Sequence, residues 1–146
     1  MARTGKHRER ELAFQTLYGL SFSPAADLEQ LALAFQRSPH NMHGEAEPKG
    51  MAWELTRGVW EKEKELDSDI EQYSHNWRAG RIGRIELILL RLALYEMLHT
   101  AVPPKVAITE YLELADQFGV SGAASFMNGI LDAAARARPA IAARLN

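Results

Sequence analysis

The segment from Arg84 to His99 constrains the fold most strongly, because it is apolar on every side. It contains no Gly or Pro and consists mostly of Leu, Ile, Ala and Met, which favour helices. A helix that is apolar around its whole circumference normally lies at the centre of a bundle or spans a membrane. A membrane span needs about 20 apolar residues, and Arg91 and Glu96 interrupt this shorter run. The segment therefore predicts the central core helix of a helical protein.

The rest of the chain also has apolar residues at helical spacing. Further helices are predicted over about residues 8–20, 24–35, 51–77, 104–118 and 121–138. The second of these is predicted to start at Ser23 and Pro24, because Ser can cap a helix and Pro suits its first turn. No stretch alternates between apolar and polar residues for long enough to form a strand. The sequence therefore predicts an all-α fold of about six or seven helices, and its 146 residues suit one domain.

Composition excludes several kinds of site. The chain has no Cys, which rules out disulfides, thiol catalysis and cysteine-ligated zinc. It shows no Gly-rich phosphate loop and no nucleophile elbow. His40 and His43 have a spacing seen in metal sites, but a solvated loop is the favoured interpretation; Glu110 and Glu113 are interpreted as surface carboxylates. No enzymatic activity and no cofactor are predicted.

The charged start lacks a signal peptide, so a cytoplasmic location is expected.

The first ten residues form a basic arm on a chain that is otherwise nearly neutral. In this arm Arg3, Lys6, Arg8 and Arg10 face only one acid, Glu9, whereas the whole chain has 17 basic and 19 acidic residues. Guanidinium groups bind phosphate oxygens well, so the arm indicates a local anionic partner such as nucleic acid. A solvated terminus explains the same composition about as well.

A second candidate site begins at Gly119, where small residues lead into the last long helix. The chain reads Gly-Val-Ser-Gly-Ala-Ala-Ser-Phe-Met-Asn-Gly from Gly119 to Gly129, and Ser121 is predicted to cap the helix. Free backbone N–H groups at a helix N-terminus can hold an anion. The ring of Phe126 could stack on an unpaired base, although a Phe in such a place belongs more often to the core.

Three regions carry longer motifs. Residues 8–18 read R-E-R-E-L-A-F-Q-T-L-Y, residues 90–96 read L-R-L-A-L-Y-E and residues 102–110 follow with V-P-P-K-V-A-I-T-E. Residues 126–132 read F-M-N-G-I-L-D. In order and spacing these resemble the motifs R-x-R-E-x-A-x-Q-x-L-Y, L-R-x-A-x-Y-E … P-x-K-V-A-I-N-E and F-V-N-G-V-L-D of the NusB family of transcription antitermination proteins. Residues 25–80 match that family only in helical pattern.

The resemblance implies a NusB-like fold in which residues 1–146 form one RNA-binding domain. Two packed small helical sub-bundles, about residues 1–78 and 79–146, would build this domain. The implied function is transcription antitermination: the protein would bind the single-stranded boxA element of nascent rRNA transcripts together with the ribosomal protein NusE, and act in the antitermination complex of RNA polymerase. No membrane partner is implied, and a homodimer is left open. The alternative is a helical protein–protein scaffold or homodimer that does not bind RNA.

The resemblance also assigns roles by position. The basic arm would contact phosphates, and Phe126 would stack on a base with Ser125 and Asn128 beside it. Tyr18 and Glu86 fall where the family meets NusE.

Two further expectations concern residues outside these sites. Arg91 and Glu96 are expected to form a polar pair inside the bundle. Tyr111 replaces a small residue of the family motif and is expected to add bulk where a partner docks.

Overall fold

The computed structural model describes residues 5–38, 47–75 and 81–145. Seven helices lie in these ranges, in chain order α1 (Gly5–Leu20), α2 (Leu28–Gln36), α3 (Met51–Tyr73), α4 (Arg84–His99), α5 (Pro104–Phe118), α6 (Ala123–Ala137) and α7 (Pro139–Ala142). The same ranges contain no strand, so the predicted all-α fold is confirmed. None of these helices has the combination of length and apolar content that crossing a membrane requires.

The chain folds into two compact units that divide between Glu61 and Lys62. Helix α3 runs through this division, and the backbone of Lys62 departs from helical geometry (φ −110°, ψ 16°). The first unit holds α1, α2 and the first part of α3, and the second unit holds the rest. The predicted boundary at residues 78 and 79 lies outside the described residues, so that boundary stays a prediction.

In the first unit, the core forms where α2 meets the start of α3. Leu31 and Phe35 of α2 and Ala52 and Trp53 of α3 are all buried there. The rings of Phe35 and Trp53 meet edge to face, with centroids 5.4 Å apart, which is a favourable aromatic geometry.

Helix α2 begins later than predicted. Asp27 caps it by accepting a hydrogen bond from the Gln30 N–H at 2.9 Å, whereas Ser23 and Pro24 were predicted to start the helix. Both Ser and Asp are good caps, and the structure places the helix after the second of them.

In the second unit, α4 is the central helix, as predicted. Leu89, Leu90, Leu92 and Met97 are completely buried, and α4 packs against α5, α6 and α7. The segment after α7 returns to the end of α4, where the Arg144 guanidinium donates hydrogen bonds to backbone carbonyls. The bond to Met97 satisfies a carbonyl oxygen that the end of α4 would otherwise leave without a partner, and the bond to Val102 ties the segment between α4 and α5 to the same guanidinium.

Arg91, on the side of α4, pairs with α3 and not with Glu96 as predicted. Its Nε and Nη2 donate to the two carboxylate oxygens of Asp67 at 2.7 and 2.9 Å, and its Nη1 lies 3.0 Å from an oxygen of Glu63. Residues five apart on a helix point to different sides, because only spacings of three and four bring side chains together. The predicted Arg91–Glu96 pair is therefore wrong.

Candidate functional site

The basic arm is only partly a surface feature. Arg3 lies outside the described residues, while Lys6 and Arg8 are exposed on the first turns of α1. Arg10, by contrast, is 2% exposed. It precedes Ala13 by three residues, and so lies on the helix face that packs inward. Burial makes a phosphate contact by Arg10 unfavourable. The three-residue spacing from Ala13 already indicated this burial in the sequence.

Glu9, the acid within the arm, has a structural contact that the sequence did not indicate. Its Oε1 accepts a hydrogen bond from the N–H of Ala52 in the first turn of α3, at 3.3 Å. The same oxygen would lie 3.5 Å from a Cβ added at Gly50, just before that helix. A carboxylate at a helix N-terminus is stabilised by the helix dipole and by free N–H groups. Glu9 therefore caps and stabilises the N-terminus of α3.

The second candidate site lies at the start of α6. Gly122 is the N-cap, in the left-handed conformation (φ 88°) that favours glycine, so the cap predicted at Ser121 is wrong by one position. Ser125 and Asn128 are exposed and Phe126 is half-buried. The predicted contact residues thus share the first turns of one helix in the second unit, and their role in RNA binding stays a prediction.

Tyr18, assigned by resemblance to partner binding, belongs to an aromatic patch in the first unit. The Tyr18 ring is half-buried and lies edge-on to Phe22, with ring centroids 5.2 Å apart. Phe22 is 63% exposed. Sequence reasoning did not single out Phe22, because one Phe at a helix end gives no periodic signal.

Two other residues linked to partner binding are buried. Glu86 is 8% exposed and Tyr111 is completely buried. Tyr111 lies on the inner face of α5 with Ala107 and Leu114, so the expectation that it adds bulk at a docking surface is wrong. The partner role of Glu86 stays a prediction, but its burial leaves little of the side chain for direct contact.

The second unit also contains a cleft of about 500 Å³, and half of its lining residues are charged: Lys64, Glu65, Asp69 and Arg138. Arg138 Nη1 lies 2.9 Å from Oδ1 of Asp69 there. Burial raises the pKa of Asp69, and the nearby Arg138 charge opposes that rise. Burial also lowers the pKa of His99, and the Lys62 charge adds to this effect. Acids and bases are mixed along the cleft, so it does not present a uniform charge to a ligand.

The remaining candidates from the sequence are the two histidines of the possible metal site and the two acids of α5. His40 and His43 lie outside the described residues. Glu113 is exposed and Glu110 half-buried on α5.

Comparison with known proteins decides the family. The NusB family model matches residues 7–136. The chain belongs to the NusB family. The transcription antitermination protein NusB of Oleidesulfovibrio alaskensis is 56% identical over 137 residues, which cover 92% of this chain and 89% of that protein. The protein of the same name from Desulfovibrio desulfuricans is 55% identical over 136 residues, covering 88% and 83%.

The fold agrees with this assignment. The structure of T. maritima NusB matches with a TM-score of 0.77 at 30% sequence identity, and the match covers 94% of both chains. The NusB family consists of transcription antitermination factors and not of enzymes. The predicted family, the predicted NusB-like fold and the assignment to non-enzymatic transcription antitermination are therefore confirmed.

Proposed function

We propose that the chain binds a single-stranded boxA-type RNA of nascent rRNA transcripts, together with the ribosomal protein NusE. In this role it joins the antitermination complex of RNA polymerase, and we place it in the cytoplasm. The observation that carries the proposal is the start of α6, where Ser125 and Asn128 are exposed beside a half-buried Phe126. A ring held partly by the protein and partly open to solvent suits stacking on an unpaired base.

The basic arm supports the phosphate part of the proposal. Lys6 and Arg8 are exposed in the first turn of α1, and Arg3 precedes them in sequence. Cations at the surface can replace the counterions of an RNA backbone, which gives affinity without base specificity. We leave Arg10 out of the phosphate contacts, because a side chain that is 2% exposed cannot approach RNA without rearrangement.

The patch formed by Tyr18 and Phe22 supports the protein part. Phe22 is 63% exposed beside the half-buried Tyr18, and aromatic residues are enriched at protein–protein interfaces. The patch fits the proposed NusE contact, and it equally favours the second candidate function, a helical scaffold or homodimer without RNA binding. RNA titration separates the two functions.

The test is a titration of a short boxA-like single-stranded RNA at several salt concentrations, with and without NusE. Each neutralised phosphate contributes roughly −0.7 to the log–log salt slope, so Arg3, Lys6 and Arg8 together predict a slope of about −2. Arg8→Ala should flatten the slope by about 0.7. Arg57→Ala serves as the matched control, because it removes an equal charge from an exposed residue of α3 in the same unit.

Phe126→Ala tests the stacking contact separately. Loss of one base–aromatic stack should weaken binding by about 1–3 kcal/mol while leaving the salt slope nearly unchanged. Tighter RNA binding in the presence of NusE would support joint recognition. Absence of RNA binding with and without NusE would refute the proposal and favour the scaffold.

A further inference from the structure

Glu86 is the buried acid at the start of α4, and its position indicates a structural role inside the second unit. It is the third residue of α4 and is 8% exposed. The N-cap residue, Gly83, provides no side chain to cap the first turn. A carboxylate near the N-terminus of a helix is stabilised by the helix dipole. Glu86 is thus suited to contact neighbouring groups of the second unit rather than a ligand in solvent.

The space beside Gly83 shows where the Glu86 carboxylate lies. A Cβ added at Gly83 would be 2.3 Å from Oε2 and 3.2 Å from Cδ of Glu86, and real Cβ contacts essentially never fall below 3.0 Å. Gly83 has an ordinary backbone φ of −55°, which any residue can adopt. Glycine is therefore required at position 83 for space and not for its backbone conformation. The carboxylate fills the volume that any other residue at position 83 would need.

The same carboxylate also approaches the turn between α5 and α6. A Cβ added at Gly119 would lie 2.7 Å from the carbonyl oxygen of Ala115, 3.0 Å from the Cβ of Ala123 and 3.4 Å from Oε1 of Glu86. Gly119 ends α5 and Ala123 begins α6. The backbone at Gly119 is therefore packed closely, with Glu86 and the first residue of α6 among its neighbours.

Backbone hydrogen bonds link the α5–α6 turn to Phe126, the candidate base-stacking residue. The N–H of Ala123 donates to the carbonyl oxygen of Val120 at 3.0 Å, and the N–H of Phe126 donates to that of Gly122 at 3.1 Å. A shift of the turn would thus move the first turn of α6. We propose that Glu86 is a positioning residue whose carboxylate fixes the α5–α6 turn, and with it Phe126, for an RNA base. This inference rests on the proposed RNA-binding function.

Gly83→Ala is the sharpest perturbation, because it displaces the carboxylate without removing it. The atom that the new methyl group meets is the far end of a flexible side chain, so the side chain can move and the fold is kept. Gly19→Ala is the matched control, since nothing lies within 4 Å of a Cβ added there. In the RNA-free protein, Gly83→Ala should shift the NMR amide signals of residues 119–126, and Gly19→Ala should not. Unchanged signals in Gly83→Ala would overturn the inference.

The RNA readout is a double-mutant cycle. Gly83→Ala should weaken RNA binding by no more than Phe126→Ala does, and it should cause no further loss in the Phe126→Ala background. Equal losses in both backgrounds would show that Gly83→Ala acts independently of Phe126, and would overturn the inference.

A conservative variant separates positioning from charge. Glu86→Gln keeps the side-chain length and an acceptor oxygen, so it should retain most of the RNA affinity, whereas Glu86→Ala should lose as much as Gly83→Ala. Loss of affinity in Glu86→Gln equal to that in Glu86→Ala would contradict a positioning role. If the parent protein binds no RNA, the proposed function fails, and the NMR comparison still decides whether Glu86 fixes the turn.

Discussion

The ion pair of Arg91 allows the effect of burial on a charge contact to be measured. Arg91 donates to both carboxylate oxygens of Asp67, at 2.7 and 2.9 Å. The two side chains are 15% and 25% exposed, whereas the third partner, Glu63, is 50% exposed. We expect Arg91→Met to destabilise the protein, because Met keeps an unbranched apolar side chain for packing but leaves Asp67 partly buried without its cation.

The size of the loss follows from these exposures. An exposed ion pair contributes about 0–1 kcal/mol, and removal of one partner from a fully buried pair costs about 3–5 kcal/mol. The Arg91–Asp67 pair lies between these limits and has bidentate geometry, so we expect a loss of about 2 kcal/mol. For a chain of this size the melting temperature should fall by about 4–8 °C.

The assay is thermal and urea unfolding of Arg91→Met, Asp67→Asn and the double variant. The coupling energy of the Arg91–Asp67 cycle should exceed about 1 kcal/mol. Arg136→Met is the matched control in the same unit, because the Arg136 Nε lies 3.1 Å from both oxygens of Asp132 but these side chains are 73% and 55% exposed. Its effect should stay within about 0.5 kcal/mol. Additive losses at Arg91 and Asp67, or an equally large loss at Arg136, would refute the reasoning.

Two further predictions concern the second unit. Gly122 has a φ of 88°, where a Cβ is unfavourable, so Gly122→Ala should lower the free energy of unfolding by about 1 kcal/mol in urea titrations; parent-like stability would contradict this. Burial lowers the pKa of His99 in the folded state, so its stabilising contribution is present above the unfolded value of 6.5 and is lost as the pH falls through the folded pKa. Acidification from about pH 7.5 to about pH 5.5 should therefore destabilise the parent slightly more than His99→Gln, measured as urea midpoints, and equal losses would argue against it.

The parts of the fold with strong local signals could be predicted from the sequence. Helix α4 has the predicted bounds, because its apolar run contains no residue that breaks a helix. Helix α5 also has the predicted bounds, since Pro104 suits the first helical turn and Gly119 ends the helix. Helix α2 was predicted less well, because Ser23 and Asp27 are both acceptable caps and nothing local decides between them.

The candidate site could be located but its contacts could not. The start of α6 was found because small residues precede Phe126 in the sequence. The partner of Glu9 lies 43 residues away at Ala52, and the partner of Arg91 lies 24 residues away at Asp67. Such pairs depend on how helices pack, and neither residue spacing nor composition carries that information.

The buried charges change what the basic arm can contribute to RNA binding. Four cations at the start of the chain would give a salt slope of about −3, at roughly −0.7 per phosphate. Arg10 is buried, and Glu9 is held at the start of α3, so the arm retains Lys6, Arg8 and the preceding Arg3 as candidate contacts. Three such contacts give a slope of about −2, which leaves more of the affinity to base stacking and to the protein partner. A measured slope near −3 would mean that a fourth cation contacts phosphate, either Arg10 after leaving its buried position or a cation outside the arm.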